Sequence, residues 1–201
     1  MKVLFLIRHG QYHQKELSAT PESLSLNDLL IQSDGQLTAL GIRQAALTGV
    51  RFQHLPINTI RYSSLQRGEQ TAKIIHTYHE KAELYAYTSL WEMIPSHVEP
   101  CPKDHRLLKP SEIEASIMRG EQCFNEFFID DSSTTTIECI ICHGNLIRFF
   151  ITKILNLPYN AWLKMEVMNC GISQIVITDS ELKLISFNDH GHLASSEKTF
   201  N

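Results

Sequence analysis

The sequence has no long apolar run, which bears on its relation to membranes. Its longest early apolar stretch, residues 3–7, is five residues long. A membrane span needs about 20 apolar residues, and the core of a signal peptide needs about 7–15. We therefore expect no membrane association and no export signal, and we expect the fold to start with the first residues of the chain.

The chain also has no large excess of charge of one sign. The chain carries 18 Lys and Arg against 22 Asp and Glu, for a formal net charge of -4. Binding to nucleic acid or to anionic lipid depends on a basic field, so we expect neither as a partner. Any phosphate-binding site must instead be a local cluster of basic side chains.

Cysteine occurs in a small, odd number. Five cysteines in 201 residues without an export signal are typical of reduced thiols rather than of a disulfide framework, so we predict a cytoplasmic protein. Cys139 and Cys142, followed by His143, match the haem-attachment pattern C-x-x-C-H. In a buried strand, however, residues i and i+3 point to opposite faces. We therefore exclude haem, zinc and a redox pair at these cysteines.

Histidine, in contrast, is abundant, with ten residues. His76 pairs with His79, and His190 pairs with His192, at spacings that could suggest a metal site. Neither pair has cysteine or carboxylate companions at ligand spacing, so we predict that both lie on the solvated surface. We predict no metal and no cofactor.

The composition, 43% hydrophobic and 20% charged, favours one globular domain over residues 1–201. Apolar runs typical of strands alternate with segments of helical spacing. The strands are predicted at residues 3–7, 57–62, 83–87, 137–142, 171–177 and 182–187, the last two as a closing pair. Such alternation implies right-handed β-α-β crossovers. The predicted fold is a three-layer α/β/α sandwich with a mostly parallel sheet.

Capping residues predict where helices begin. Thr38 precedes a helix with small or apolar residues on one face, namely Ile42, Ala45, Ala46, Gly49 and Val50. Ser63 or Ser64 is predicted to cap the next helix, and helical spacing returns over residues 112–129. The proline-containing stretch over residues 91–110 is predicted to form a lid.

Polar groups follow four predicted strands. They are Arg8-His9-Gly10, Ser63-Ser64-Leu65-Gln66-Arg67, Leu90-Trp91-Glu92 and Cys142-His143-Gly144-Asn145. Because ligands bind beyond the carboxyl ends of parallel strands, we expect all four groups to meet at one edge of the sheet. Two guanidiniums, two imidazoles and one carboxylate are what phosphoryl transfer without a metal requires.

The arginines and the first histidine have distinct predicted tasks. Arg8 and Arg67 can each donate two hydrogen bonds to phosphate oxygens while staying charged. An unprotonated His9 can attack phosphorus in line and form a P–N bond that water later hydrolyses. Gly10 would allow the substrate to approach the backbone closely.

The remaining groups would bind the anion and supply a proton. His143 is predicted to donate to phosphate, together with free N–H groups of the helix that starts near Asn145. The leaving oxygen needs a proton from a carboxyl group in a partly closed site. Glu92 is the predicted general acid, with Glu99 as the alternative.

In order and spacing, these blocks resemble the histidine phosphatase superfamily, the phosphoglycerate mutase-like group. Arg8-His9-Gly10 is similar to the family's N-terminal signature. Its later blocks are similar to residues 37–45, to residues 63–67 with Gln70-Thr71-Ala72, and to His143-Gly144. Residues 7–13, 140–148 and 161–163 are most similar to the mitochondrial phosphoglycerate-mutase-like serine/threonine-protein phosphatases.

The resemblance implies a phosphoglycerate mutase-like fold and a set of residue roles. It implies that His9 is the phosphohistidine nucleophile and that Glu92 is the proton donor. It also implies that Arg8, Arg67 and His143 form the phosphate pocket.

Three departures from the family pattern argue against mutase activity. Gln11 replaces a glutamate, Lys15 lies about where mutases carry an asparagine, and Asn145 replaces a common second glycine. Gln11 and Asn145 are further candidates for substrate contacts. Because no membrane-anchoring N-terminal extension is visible, the mitochondrial compartment is not carried over from the resemblance.

The sequence thus predicts a metal-independent hydrolase of phosphate monoesters, with phosphoserine or phosphothreonine in protein as the favoured substrate. A small-molecule phosphatase or a phosphoglycerate mutase would share the core of the pocket. An alternative of another class is a module that binds phosphorylated partners without cleaving them. The oligomeric state stays open, with a homodimer among the options.

Overall fold

The structure is a computed structural model that describes residues 1–16, 25–94, 109–129 and 134–200. Most of the predicted lid over residues 91–110 falls outside these ranges. Glu99, the alternative general acid, also lies outside the described residues.

A six-stranded sheet forms the middle layer. Its strands are β1 (Lys2–Arg8), β2 (Thr59–Ser63), β3 (Glu83–Tyr87), β4 (Thr136–Cys142), β5 (Ile172–Ile177) and β6 (Leu182–Asp189). They lie in the order β3-β2-β4-β1-β5-β6. Strands β3, β2, β4 and β1 are mutually parallel, whereas β5 runs antiparallel to its neighbours β1 and β6. The predicted mostly parallel sheet and its closing pair of strands are confirmed.

The parallel register aligns the carboxyl ends of the central strands. Arg8, the last residue of β1, pairs with Cys142, the last residue of β4. Tyr62 in β2 pairs with Ile141 in β4. The segments that follow β1, β2 and β4 therefore start side by side at one edge of the sheet.

Helices cover both faces of this sheet. They are α1 (Leu26–Gln32), α2 (Ala39–Phe52), α3 (Gln66–His76), α4 (Pro110–Phe127) and α5 (Gly144–Ile154). Leu4 and Leu6 of β1 pack with residues of α4 and α5, while Phe5 and Ile7 pack with residues of α2 and α3 on the other face. The predicted three layers are confirmed. Within the described ranges, none of the helices has the length and apolar character that crossing a bilayer requires.

The predicted small and apolar face of α2 is buried only in part, at Ala45 and Gly49, although its cap at Thr38 is confirmed. Ile42 and Val50 are 50% and 44% exposed. The buried stripe is instead made of Gly41, Gln44, Ala45, Thr48, Gly49 and Phe52. A Cβ atom at Gly41 would overlap the backbone oxygen of Gln11. At its N-terminal end the helix therefore turns small and polar residues inward, because the segment after β1 passes too close to Gly41 for a larger side chain.

The predicted cap of α3 is also wrong. Leu65 holds the N-cap position, and its side chain makes no capping hydrogen bond. The hydroxyl of Ser63 lies 2.7 Å from a ring nitrogen of His143, and the hydroxyl of Ser64 accepts from the indole N–H of Trp91 at 2.8 Å. Both serines therefore contact other strand ends instead of capping α3.

Candidate active site

His9 lies directly after β1 and is buried, with 2% of its surface exposed. Its backbone N–H donates to the carbonyl of Cys142 at 3.0 Å, which ties it to the end of β4. Its ring Nδ1 lies 2.8 Å from the carbonyl oxygen of Gly10. Because a carbonyl can only accept, Nδ1 of the neutral ring carries the proton and Nε2 carries a lone pair.

Two hydrogen bonds hold the backbone of His9 and Gly10 from different directions. The N–H of Gly10 donates to the hydroxyl of Thr71 in α3 at 3.0 Å, and the amide of Asn169 donates to the carbonyl of His9 at 3.0 Å. A Cβ atom at Gly10 would lie 2.6 Å from the carbonyl oxygen of Gly41. Glycine is therefore required because α2 passes directly over this turn.

The two predicted imidazoles lie together. The ring centroids of His9 and His143 are 5.0 Å apart. The pKa of each ring lies well below the ordinary value of 6.5. Burial is the larger cause, and the nearby positive charge of Arg67 is the second. Both rings are therefore neutral at pH 7.

Arg67 lies in the first turn of α3 and is buried. Its Nη1 donates to a carboxylate oxygen of Asp34 at 2.6 Å, and the same carboxylate accepts from the backbone N–H of Gln66. The guanidinium carbon lies 4.7 Å from the ring centroid of Tyr12. The Tyr12 ring in turn meets the His9 ring edge-on at 5.3 Å. Tyr12 thus packs against both a predicted phosphate ligand and the predicted nucleophile.

Arg8, the last residue of β1, faces the start of α5, because a Cβ atom at Gly144 would lie 3.5 Å from its Nε. Its Nη1 donates to the carbonyls of Val167 at 2.6 Å and Phe200 at 2.9 Å. Burial lowers the pKa of Arg8 below its ordinary value, and the Glu92 carboxylate opposes that shift. The carbonyls of Val167 and Phe200 therefore hold Nη1 of Arg8 in place.

Glu92 lies at the N-terminus of α5. Its carboxylate accepts from the backbone N–H groups of Asn145 at 3.1 Å and Leu146 at 3.2 Å. The helix N–H groups predicted to be free for an anion are therefore engaged by Glu92. Arg119 of α4 donates to the backbone carbonyl of Glu92 at 2.7 Å, which holds the residue from the other side.

The two further candidates for substrate contacts are engaged inside the protein. The amide oxygen of Gln11 accepts from the hydroxyl of Thr38 at 2.8 Å. The side chain of Asn145 donates to the carbonyl of Met93 at 2.9 Å and accepts from Arg148. Both amides brace loops of the site, which leaves fewer of their atoms for a ligand.

Five residues in this region had no predicted role in the site. Asp34, Tyr12, Asn169, Arg119 and Ser63 each contact a predicted site residue directly. The sequence offers a weak signal for Asp34, which stands in an Asp-Gly pair typical of a turn. Tyr12 and Ser63 stand inside segments that the sequence singles out, residues 7–13 and 63–67, but nothing there assigns them a contact. Arg119 and Asn169 reach the site across 27 and 160 residues, so no local pattern points to them.

The two predicted histidine pairs, His76 with His79 and His190 with His192, are less exposed than predicted. His79 is buried, with 9% of its surface exposed, and His76 lies 3.0 Å from the carbonyl of Ala82. His192 lies against the hydroxyl of Thr48 at 3.1 Å, and burial lowers its pKa to about 4. The solvated position predicted for His79 is therefore wrong, whereas His76, His190 and His192 are half-buried.

The cysteines of β4 behave as predicted, since Cys142 packs in the core beneath α4 and α5 and Cys139 in the opposite core. The strand alternation therefore holds them apart on different faces. Among the residues that the structure describes, no three His, Cys, Asp or Glu side chains group as a metal ion would require.

The free energy of unfolding should fall as the pH drops below 6.5. An unfolded histidine takes up a proton near pH 6.5, whereas His9 and His143 resist protonation in the folded state because their pKa values lie well below that. Stability is therefore full above pH 6.5 and is lost below it, by up to about 1.4 kcal/mol per pH unit for each ring. Urea unfolding at pH 7.5 and pH 5.5 measures the change.

The control is His9→Gln, which removes one of these groups and should shrink the loss between the two pH values. An equal loss in the variant and the wild type would show that His9 does not titrate in this way.

Comparison with known proteins points to one family. A family model described as the histidine phosphatase superfamily, branch 1, matches residues 4–106 and 95–190. The mitochondrial serine/threonine-protein phosphatase Pgam5 of Caenorhabditis elegans is 31% identical over 205 residues, which covers 98% of this chain and 66% of that protein. The corresponding Homo sapiens protein is 28% identical over 202 residues, with 98% and 65% covered. The chain thus spans just under two thirds of the length of these relatives.

Solved structures share the fold. A phosphoserine phosphatase mutant from Entamoeba histolytica, in complex with phosphoserine, superposes with a TM-score of 0.70 at 21% identity, covering 96% of this chain and all of that one. A phosphoglycerate mutase from Plasmodium falciparum gives 0.60 at 24% identity, covering 92% and 89%. The predicted phosphoglycerate mutase-like fold is confirmed.

One prediction is contradicted by these comparisons. The sequence predicts a cytoplasmic protein, but the relatives that match 94–98% of this chain are named as mitochondrial. The cytoplasmic prediction is therefore wrong: reduced thiols do not distinguish between compartments, so the cysteine argument had no power to decide the location.

Proposed function

Because the chain belongs to the histidine phosphatase superfamily, we propose that it hydrolyses phosphate monoesters through a phosphohistidine at His9, without a metal ion. The observation that carries the proposal is the 2.8 Å contact between Nδ1 of His9 and the carbonyl oxygen of Gly10. The carbonyl of Gly10 holds the ring proton on Nδ1, so Nε2 has its lone pair available for attack. Burial and the Arg67 charge, which lower the pKa of the ring, keep that lone pair unprotonated at pH 7.

The first step transfers the phosphoryl group to the enzyme. Nε2 of His9 attacks phosphorus, the bond to the leaving oxygen breaks, and that oxygen takes a proton from Glu92, whose carboxyl group enters this step protonated. Arg67, Arg8 and His143 stabilise the charge on the three equatorial oxygens. The cations are already in place, since Asp34 anchors Arg67 and two carbonyls anchor Arg8.

The second step releases inorganic phosphate. Glu92, now ionised, takes a proton from a water molecule that attacks phosphorus, the P–N bond breaks, and the electron pair returns to Nε2 of His9. The neutral ring is then restored on the same tautomer, because Gly10 still accepts from Nδ1.

Electrostatics favours a dianionic ligand in this pocket. The guanidiniums of buried Arg67 and half-buried Arg8 lie near two neutral imidazoles, and burial lowers the pKa of Arg8. Asp34 already pairs with Arg67 and the Glu92 carboxylate lies near Arg8, so a phosphate dianion would join these pairs in a medium of low dielectric constant, where charge-assisted hydrogen bonds are strong.

Phosphoserine and phosphothreonine in protein are the proposed substrates. The support is the set of curated relatives at 28–32% identity, all named as serine/threonine-protein phosphatases. The described part of the site is consistent with this choice, because Arg8, Arg67 and His143 recognise the phosphoryl group alone and leave the rest of the substrate unrestricted.

A panel of phosphate esters assayed in the presence of EDTA tests the proposal. We expect turnover of p-nitrophenyl phosphate, and a kcat/KM on phosphoserine and phosphothreonine peptides at least about tenfold above that on sugar phosphates and phosphoglycerates. EDTA should leave these rates unchanged, since no step requires a metal.

Other outcomes identify the alternatives. A preference for small esters would point to a small-molecule phosphatase, and interconversion of phosphoglycerates would point to a mutase. Tight binding of phosphopeptides with no turnover would leave a binding module. Loss of all turnover in EDTA, restored by added metal, would contradict the metal-free mechanism.

A further inference from the structure

Ser63, the last residue of β2, contacts the second imidazole of the site. Its hydroxyl oxygen lies 2.7 Å from Nε2 of His143, and both residues are fully buried. The other ring nitrogen, Nδ1, is also buried and has no hydrogen-bond partner among the described residues. Since buried polar atoms are rarely left unpaired, this nitrogen is positioned for a ligand.

The protons around Ser63 can be assigned one by one. The backbone N–H of Leu65 donates to the Ser63 oxygen at 3.4 Å, so that oxygen already accepts one hydrogen bond. The hydroxyl proton needs an acceptor, and within the described part of the chain its close partner is Nε2 of His143. Nε2 can accept only when the neutral ring carries its proton on Nδ1.

We propose that Ser63 is a positioning residue that holds the proton of His143 on Nδ1, so that the ring donates a hydrogen bond to a phosphate oxygen of the substrate. The chain of donors runs from Leu65 N–H to the Ser63 hydroxyl, then to Nε2 of His143. The unpaired Nδ1–H is left as the donor at the far end of this chain.

The two histidines of the site then offer different groups to a ligand: His9 offers an electron pair and His143 offers an N–H donor. The carbonyl of Gly10 leaves His9 with an electron pair on Nε2, and the Ser63 hydroxyl leaves His143 with a proton on Nδ1. The rings are 5.0 Å apart, so one can attack phosphorus while the other donates to an oxygen of the same group. This role of His143 rests on the proposed function, but its tautomer in the free protein does not.

The tautomer is measured directly by proton–nitrogen correlation spectra of the nitrogen-labelled free protein. The two ring nitrogens of a neutral histidine differ strongly in chemical shift according to which one carries the proton. The signals of His143 are assigned by their loss in His143→Gln. We expect Nδ1 to be the protonated nitrogen in the wild type, and Ser63→Ala to give a mixture of tautomers or the opposite one.

Kinetics provides the second arm of the test. Ser63→Ala should lower kcat/KM for p-nitrophenyl phosphate by about 10–100-fold, the loss typical when a partner that orients a functional histidine in a metal site is removed. Ser173→Ala is the matched control. Ser173 is equally buried, and its hydroxyl also accepts a backbone N–H, that of Asn188 at 3.1 Å. Its loss should leave kcat/KM within about threefold and the His143 spectrum unchanged.

Two results would overturn the inference. One is a proton on Nε2 of His143 in the wild type. The other is a Ser63→Ala variant with the wild-type tautomer and wild-type kcat/KM. If instead the wild type has the expected tautomer but turns over no phosphate ester, the proposed function fails and the assignment of Ser63 stands.

Discussion

Replacing His9 by alanine should abolish turnover of p-nitrophenyl phosphate, with a fall in kcat of at least about 10⁴-fold, because the only proposed nucleophile is lost. The wild type, quenched in base during turnover, should carry phosphate that is stable in base and released by acid, as expected for a P–N bond. The variant should carry none. Steady-state kinetics and phosphate analysis of the quenched protein measure the two effects.

A matched control separates chemistry from folding. His54→Ala changes an exposed histidine in the loop after α2 and should retain wild-type kcat. Circular dichroism melts should show that His9→Ala remains folded, since the β1 strand keeps its pairing with β4 and β5. Turnover by a folded His9→Ala protein at a wild-type rate would refute the assignment of the nucleophile.

Replacing Glu92 by glutamine should have an effect that depends on the leaving group. Hydrolysis of a phosphoserine peptide expels an alkoxide and needs a proton donor, so kcat should fall by about 10²–10⁴-fold. p-Nitrophenolate is a far better leaving group, and its release should slow by less than about tenfold. The ratio of the two rates, measured in wild type and variant, isolates proton donation from binding and folding.

Glu112→Gln is the control for the structural part of this substitution. The carboxylate of Glu112 also accepts backbone N–H groups at a helix start, from Leu26 and Lys109 at 3.0 Å each. Losing it should slow both substrates equally and by less than about threefold. If Glu92→Gln slowed both substrates by the same factor, Glu92 would be a capping residue of α5 rather than the general acid.

Much of the fold was predictable because its signals are local. Continuous apolar runs predicted the central strands, and the bounds of β3 (Glu83–Tyr87) agree with the prediction. The hydroxyl of Thr38 caps α2 as expected. Because central parallel strands end at one edge, placing Arg8, His9, Arg67 and His143 after three such strands was enough to predict that they meet.

The buried faces of the helices were less predictable. Apolar spacing in α2 favoured Ile42 and Val50 as core residues, yet both are largely exposed. The helix is instead oriented by how closely the backbone near Gln11 approaches Gly41. Such an approach depends on a partner 30 residues away in sequence, which periodicity within one helix cannot report.

The order of the motifs along the chain was therefore sufficient to say which side chains would gather and what chemistry they suit. It could not say how each is held. The partners that orient them are carbonyls, hydroxyls and carboxylates from distant segments: Phe200 for Arg8, Asp34 for Arg67, Ser63 for His143 and the start of α5 for Glu92. Hydrogen bonds of this kind form between any suitable donor and acceptor that packing brings within about 3 Å, so they leave no pattern in the order of residues and exist only once the sheet has assembled.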